Sequence, residues 1–79
     1  MIPIKFEPYC QSIGIVLLQE DLRYITEALR HIARNEHRSV LKRYTEEWVI
    51  GVSECNDRCK EVNAGRYRAN IWLRERVDL

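Results

Sequence analysis

The clearest pattern of apolar and polar positions runs from Leu41 to Val62. Leu41, Tyr44, Trp48, Val52, Cys55, Cys59 and Val62 follow one another at intervals of 3, 4, 4, 3, 4 and 3 residues. Their mean spacing of 3.5 residues holds a helical seam against another helix. Val40 and Val49 widen the stripe into a core-facing surface. The pattern predicts one long amphipathic helix from Arg38 to about Val62, the main beam of the fold. Gly51 interrupts it at a cost of about 1 kcal/mol relative to alanine. Burial of the stripe can absorb that cost, or Gly51 marks either the close approach of another backbone or a break. Asn63-Ala64-Gly65 is the expected stop, because Asn63 or Gly65 can adopt the left-handed conformation that closes a helix.

A second helical stripe precedes it. Leu22, Ile25, Leu29 and Ile32, joined by Ala28 and Ala33, predict a helix from Gln19 to near Asn35. Glu20 and Asp21 at its start and Arg30 and Arg34 near its end match the helix dipole. Asn35 to Ser39 then forms the connection, with Asn35 or Ser39 as the cap of the next helix.

The two ends of the chain carry mixed signals. Ile2, Ile4 and Phe6 alternate with Pro3 and Lys5, as in a short edge strand, and Pro8 predicts a turn. Ile13 to Leu18 reads either as a second strand, giving a small N-terminal β-hairpin, or as the opening of the following helix. The β-branched Ile13, Ile15 and Val16, together with Gly14, favour the strand. In the last segment Tyr67, Ala69, Ile71 and Leu73 alternate as in a strand, whereas Ala69, Trp72, Leu73 and Val77 lie on a helical stripe. Its wealth of Ala, Leu, Arg and Glu favours the helix. The expected fold is therefore mainly α: a single helical domain over residues 1–79 with a long central helix and the hairpin as an option.

Composition narrows the class. Hydrophobic residues at 46% suffice for one modest core, and 13 Lys and Arg against 12 Asp and Glu leave a formal charge of only +1. Such a balance supplies no general attraction to nucleic acid or to a membrane. A thin assembly of this size leaves apolar surface uncovered, so a homo-oligomer is as compatible with the sequence as a monomer. The longest apolar run, Ile15 to Leu18, is far too short to cross a bilayer, and Met1 to Glu7 lacks the order of a secretory signal. Cys10, Cys55 and Cys59 are an odd number that points to a reducing compartment or to one unpaired thiol in a secreted chain. The expected location is the cytoplasm.

No constellation for catalysis emerges. Cys55 and Cys59 stand one helical turn apart and could share a metal ion, but zinc needs about four ligands and neither His31 nor His37 is placed beside them. Their position in the stripe predicts core packing instead. Their C-x3-C spacing is not that of a redox motif, and Cys10 near a turn is either an exposed thiol or a partly buried small side chain. The hydrolase, metalloprotease and phosphate-loop motifs are missing, so no catalytic, metal or cofactor-binding residue is assigned.

What remains is the basic and aromatic cluster of Arg66, Tyr67, Arg68, Asn70, Trp72, Arg74 and Arg76, which exceeds Glu75 by three charges. Tyr, Trp and Arg concentrate energy in protein interfaces. This segment is accordingly the expected contact surface of a protein-binding regulator or inhibitor, with Trp48 as core anchor and Trp72 as interface residue. Tyr9 and Tyr24 are further candidates. The alternative is a small DNA- or RNA-binding protein, since arginine pairs with phosphate and guanine and asparagine with adenine. The arginines would be spread around the helix, which blunts that reading.

Overall fold

The computed structural model describes residues 2–77 as four helices: α1 (Phe6–Ser12), α2 (Gln19–Leu29), α3 (His37–Glu54) and α4 (Glu61–Val77). Short 3-10 turns at Arg34–Glu36 and Arg58–Lys60 lead into α3 and α4. There is no β-strand among the described residues, so the domain is α-helical and the hairpin is absent.

The N-terminal alternation misleads because Pro8 sits in the first turn of α1, where its missing N–H has no intrahelical partner to lose. Ile4, which a strand would have buried, is 94% exposed, whereas Phe6 and Cys10, one helical turn apart, enter the core. Gly14 does not interrupt a strand but closes a helix. At φ +84° it is the left-handed residue of a Schellman cap, in which the Ile15 N–H donates to Cys10 O at 2.8 Å and the Gly14 N–H to Gln11 O at 3.2 Å. Ile15 follows directly and is buried against the same core.

At the start of α2 the Leu18 N–H donates to Asp21 Oδ2 at 2.9 Å, the returning half of a capping box. The helix ends at Leu29, earlier than its apolar stripe implies, and the chain continues through tight turns to α3. Neither Asn35 nor Ser39 caps α3; Glu36 occupies that position without a side-chain bond. The histidine that opens α3 instead reaches back. His37 Nε2 lies 2.9 Å from both Leu29 O, at the end of α2, and Ile32 O, in the turn beyond it.

The long beam is divided. α3 stops at Glu54, Cys55 is extended at φ −83° and ψ 130°, and Asp57 caps the next turn by accepting from the Cys59 N–H at 2.9 Å. Asn63-Ala64-Gly65, the expected stop, lies inside α4. Cys55 is therefore only half-buried, Cys59 is exposed and Val62 is 51% exposed, so the predicted core role of the two cysteines is wrong. Their spacing matched the seam by coincidence, since Asn56-Asp57, both turn-forming residues, break the helix between them.

α4 folds back antiparallel on α3. Gly51 faces Ala64 and Gly65, Glu47 meets Arg68, Tyr44 meets Asn70 and Glu36 meets Arg76, so positions rising along one helix fall along the other. Two glycines permit this approach. A Cβ at Gly51 would lie 2.7 Å from Ala64 O, and one at Gly65 would lie 2.6 Å from Trp48 Cδ1 and 2.9 Å from Trp48 O. Gly51 thus marks close backbone approach, one of the readings its place in the stripe left open. Trp48, Tyr44, Leu41 and Val40 of α3, Ala69 and Leu73 of α4, Ile25, Ala28 and Leu29 of α2, and Phe6, Cys10 and Ile15 complete one core.

Candidate interaction surface

Helical periodicity distributes the basic and aromatic cluster of α4 over several faces. Arg66 lies across Asp21 of α2, with Nε 3.0 Å from Oδ1 and 2.9 Å from Oδ2, and its guanidinium stacks 5.2 Å from the centre of the Trp48 ring. Its remaining nitrogens donate to Asn63 Oδ1 at 3.2 Å and reach Val16 O at 3.5 Å. Asp21 is only 3% exposed, so this is a structural ion pair reinforced by a cation–π contact. Arg68 binds Glu47 Oε1 through Nε at 3.0 Å and reaches Glu54 through its NH1 group. Arg76 binds Glu36 Oε1 at 3.0 Å. Three of the four arginines of the cluster thus tie α4 to α2, to α3 and to the turn before α3.

Asn70 is similarly engaged. Its Oδ1 accepts from the Tyr44 hydroxyl at 2.7 Å and its carbonyl from the Tyr24 hydroxyl at 3.3 Å. Burial raises the Tyr44 hydroxyl well above the ordinary tyrosine value, and burial also raises Tyr24 against an opposing pull from Arg74. Both phenols therefore remain protonated hydrogen-bond donors. Trp72 is half-buried and packs against the core.

Tyr67 and Arg74 differ from these neighbours. Tyr67 is 71% exposed, and Arg74 is exposed with no carboxylate of the described residues within ion-pair distance. Ile71 stands one turn beyond Tyr67 and is also exposed, so Tyr67, Ile71 and Arg74 share one face of α4. With Tyr24, Asn63, Arg66 and Asn70 they line a groove of about 540 Å³ between α2 and α4. The structure brings Arg66, Tyr67, Asn70 and Arg74 together there and directs Arg68, Trp72 and Arg76 elsewhere. Ile71 and Asn63 were not anticipated in this role. The i, i+4, i+7 spacing of Tyr67, Ile71 and Arg74 is the signal that could have found the face.

The groove is open, and α4 contributes both its apolar side chains, Tyr67 and Ile71, and its polar ones, Asn63, Arg66, Asn70 and Arg74. It holds no paired carboxylates and no nucleophile beside a base. Among the described residues no group of three or more His, Cys, Asp or Glu side chains is placed to hold a metal ion. Cys10 is fully buried, and burial, with a smaller contribution from Glu7, pushes its thiol up to about 11. It is a core residue rather than an exposed thiol. No helix of the described residues is long and apolar enough to cross a membrane.

No family model, curated protein or solved structure matches this chain. Geometry and chemistry alone therefore rank its surfaces.

Glu47 provides a pH-dependent check on the network that joins α3 to α4. Burial alone would raise its carboxyl, but hydrogen bonds from Arg68 and Arg43, followed by their charges, outweigh burial and hold it below the usual carboxylate range. The Arg43 contacts are 2.8 Å from Nε and 2.7 Å from NH2 to Glu47 Oε2. A depressed native value means that this contribution is complete above the unfolded carboxyl value and disappears as pH falls through the native one. The stability difference between wild type and Glu47→Gln should accordingly be flat near neutrality and shrink below about pH 4.3, the ordinary glutamate value. Urea midpoints measured across that interval test this; a difference that grows on acidification would contradict it.

Proposed function

We propose that this chain is a non-enzymatic protein-interaction module, a small regulator or inhibitor that covers a surface of another protein through the groove between α2 and α4. Tyr67 carries the proposal: a tyrosine is held 71% exposed beside exposed Ile71 and Arg74, on the opposite side of α4 from the pairs that Arg68 and Arg76 make with α3 and the turn before it. Folding does not account for that arrangement. A rigid aromatic ring flanked by an apolar side chain and a cation is the residue combination that dominates protein interfaces. The cytoplasm suits this role.

The nucleic-acid alternative draws less support. Affinity for nucleic acid comes mainly from cations free to neutralise phosphate. Arg66, Arg68 and Arg76 are already held by Asp21, Glu47, Glu54 and Glu36, so phosphate would have to displace carboxylates from them.

The test is recovery of partners from the cytoplasm of the cells that make the protein, using wild type and a Tyr67→Ala, Ile71→Ala double variant. Tyr67 is 71% and Ile71 37% exposed, so the variant should stay fully folded with at most a small fall in thermal midpoint. Loss of an interface anchor of this kind weakens binding by about 30-fold, enough to remove the partner from the eluate. Recovery of the same proteins by both forms would defeat the proposal.

A further inference from the structure

A second groove shares no lining residue with the first. Lys5 before α1 and Arg38 and Lys42 of α3 surround it, and Phe6, Tyr9 and Leu41 supply apolar walls and floor. Its volume is about 450 Å³, room for one or two side chains. Phe6 and Leu41 are buried and belong to the core, so the floor is rigid, while Tyr9 stands half out of the rim. Arg38 and Lys42 are one helical turn apart and present their charges on the same side of α3. None of the three cations lies within ion-pair distance of a carboxylate of the described residues, whereas Arg43, one residue beyond Lys42, is bound to Glu47.

In a chain of formal charge +1, this places three unneutralised cations around one apolar depression. We infer that the groove between α1 and α3 binds an acidic segment of a partner protein that carries an apolar anchor between carboxylates. The charge complementarity and the apolar floor each select one part of that ligand. A nucleic acid would gain from the cations but could stack a base only on the half-exposed Tyr9, because Phe6 and Leu41 are buried in the floor, where an aliphatic anchor fits better. The site is independent of the Tyr67 groove, and the two could engage one partner at two points or two partners at once.

The experiment uses the full chain and a fluorescein-labelled peptide with one central leucine flanked on each side by two glutamates, followed by fluorescence anisotropy. Saturable binding is expected, weakening about tenfold in an Arg38→Glu, Lys42→Glu double variant. Raising salt from low to physiological strength should weaken it in wild type. Exchanging the glutamates for glutamine, or the leucine for serine, should each reduce binding. Because Arg38 and Lys42 are exposed, circular dichroism of the double variant should match wild type. The Tyr67→Ala, Ile71→Ala variant should bind this peptide as wild type does, which separates this site from the first groove. No binding at millimolar protein, equal binding of the glutamine peptide, tighter binding of a single-stranded oligonucleotide, or occupation of the groove by a second copy of the chain would each overturn the inference.

Discussion

Gly65→Ala is expected to destabilise the protein by about 3 kcal/mol, although alanine is the better helix former. Helix propensity alone would raise stability by about 1 kcal/mol. The added Cβ, however, would lie 2.6 Å from Trp48 Cδ1, 2.7 Å from its Nε1 and 2.9 Å from its carbonyl oxygen. None of these atoms can yield cheaply. The carbonyl belongs to the backbone of α3, and the indole is 2% exposed, with Tyr44 6.2 Å away and Arg66 over its face. Relief requires the two helices to move apart, which loosens the largest interface in the molecule. A domain of this length has a total stability on the order of 4 to 12 kcal/mol. Gly65→Val, larger by two further carbons, should therefore leave little folded chain at room temperature. Urea titration followed by circular dichroism measures both variants; an increased midpoint for Gly65→Ala would show that the helices are not in contact at this position.

The second large effect is expected at Asp21. Asp21→Ala should cost about 3 kcal/mol, within the range for breaking a buried ion pair by removing one partner. Three losses coincide there: the acceptor for the Leu18 N–H, the carboxylate that receives Arg66, and the electrostatic balance of a guanidinium held in a partly buried position. Asp21→Asn should cost less, since an amide oxygen can still accept one of these hydrogen bonds. A double-mutant cycle with Arg66→Ala isolates the pair, and additive effects of the two alanine substitutions would show that it is not coupled.

Where the amphipathic period and the element coincide, the fold was legible. Ile25, Ala28 and Leu29 of α2 and Leu41, Tyr44 and Trp48 of α3 enter the core as their spacing predicts. The end of α3 was hidden because Cys55, Cys59 and Val62 continue the numerical pattern through a chain reversal. Periodicity records spacing along the chain and carries no mark of a turn that happens to preserve it. Asn56-Asp57 was the available signal. At the N-terminus, alternation over a few residues was outweighed by a proline tolerated in a first helical turn and by the glycine cap at Gly14. The contact surface was legible as a segment but not as a face. Arg66, Arg68 and Arg76 looked available in the sequence because their partners lie 45, 21 and 40 residues away. Tyr67 and Arg74 stand out only after those pairings are known.

His37 has a consequence for proton placement. Two carbonyl oxygens facing one ring nitrogen can only accept, so Nε2 must carry a hydrogen shared between Leu29 and Ile32. That nitrogen is unavailable as a base or as a metal ligand while α2 and α3 keep their native ends. One hydrogen thereby ties the last residue of α2 and the turn beyond it to the first residue of α3, so unwinding the start of α3 releases both at once.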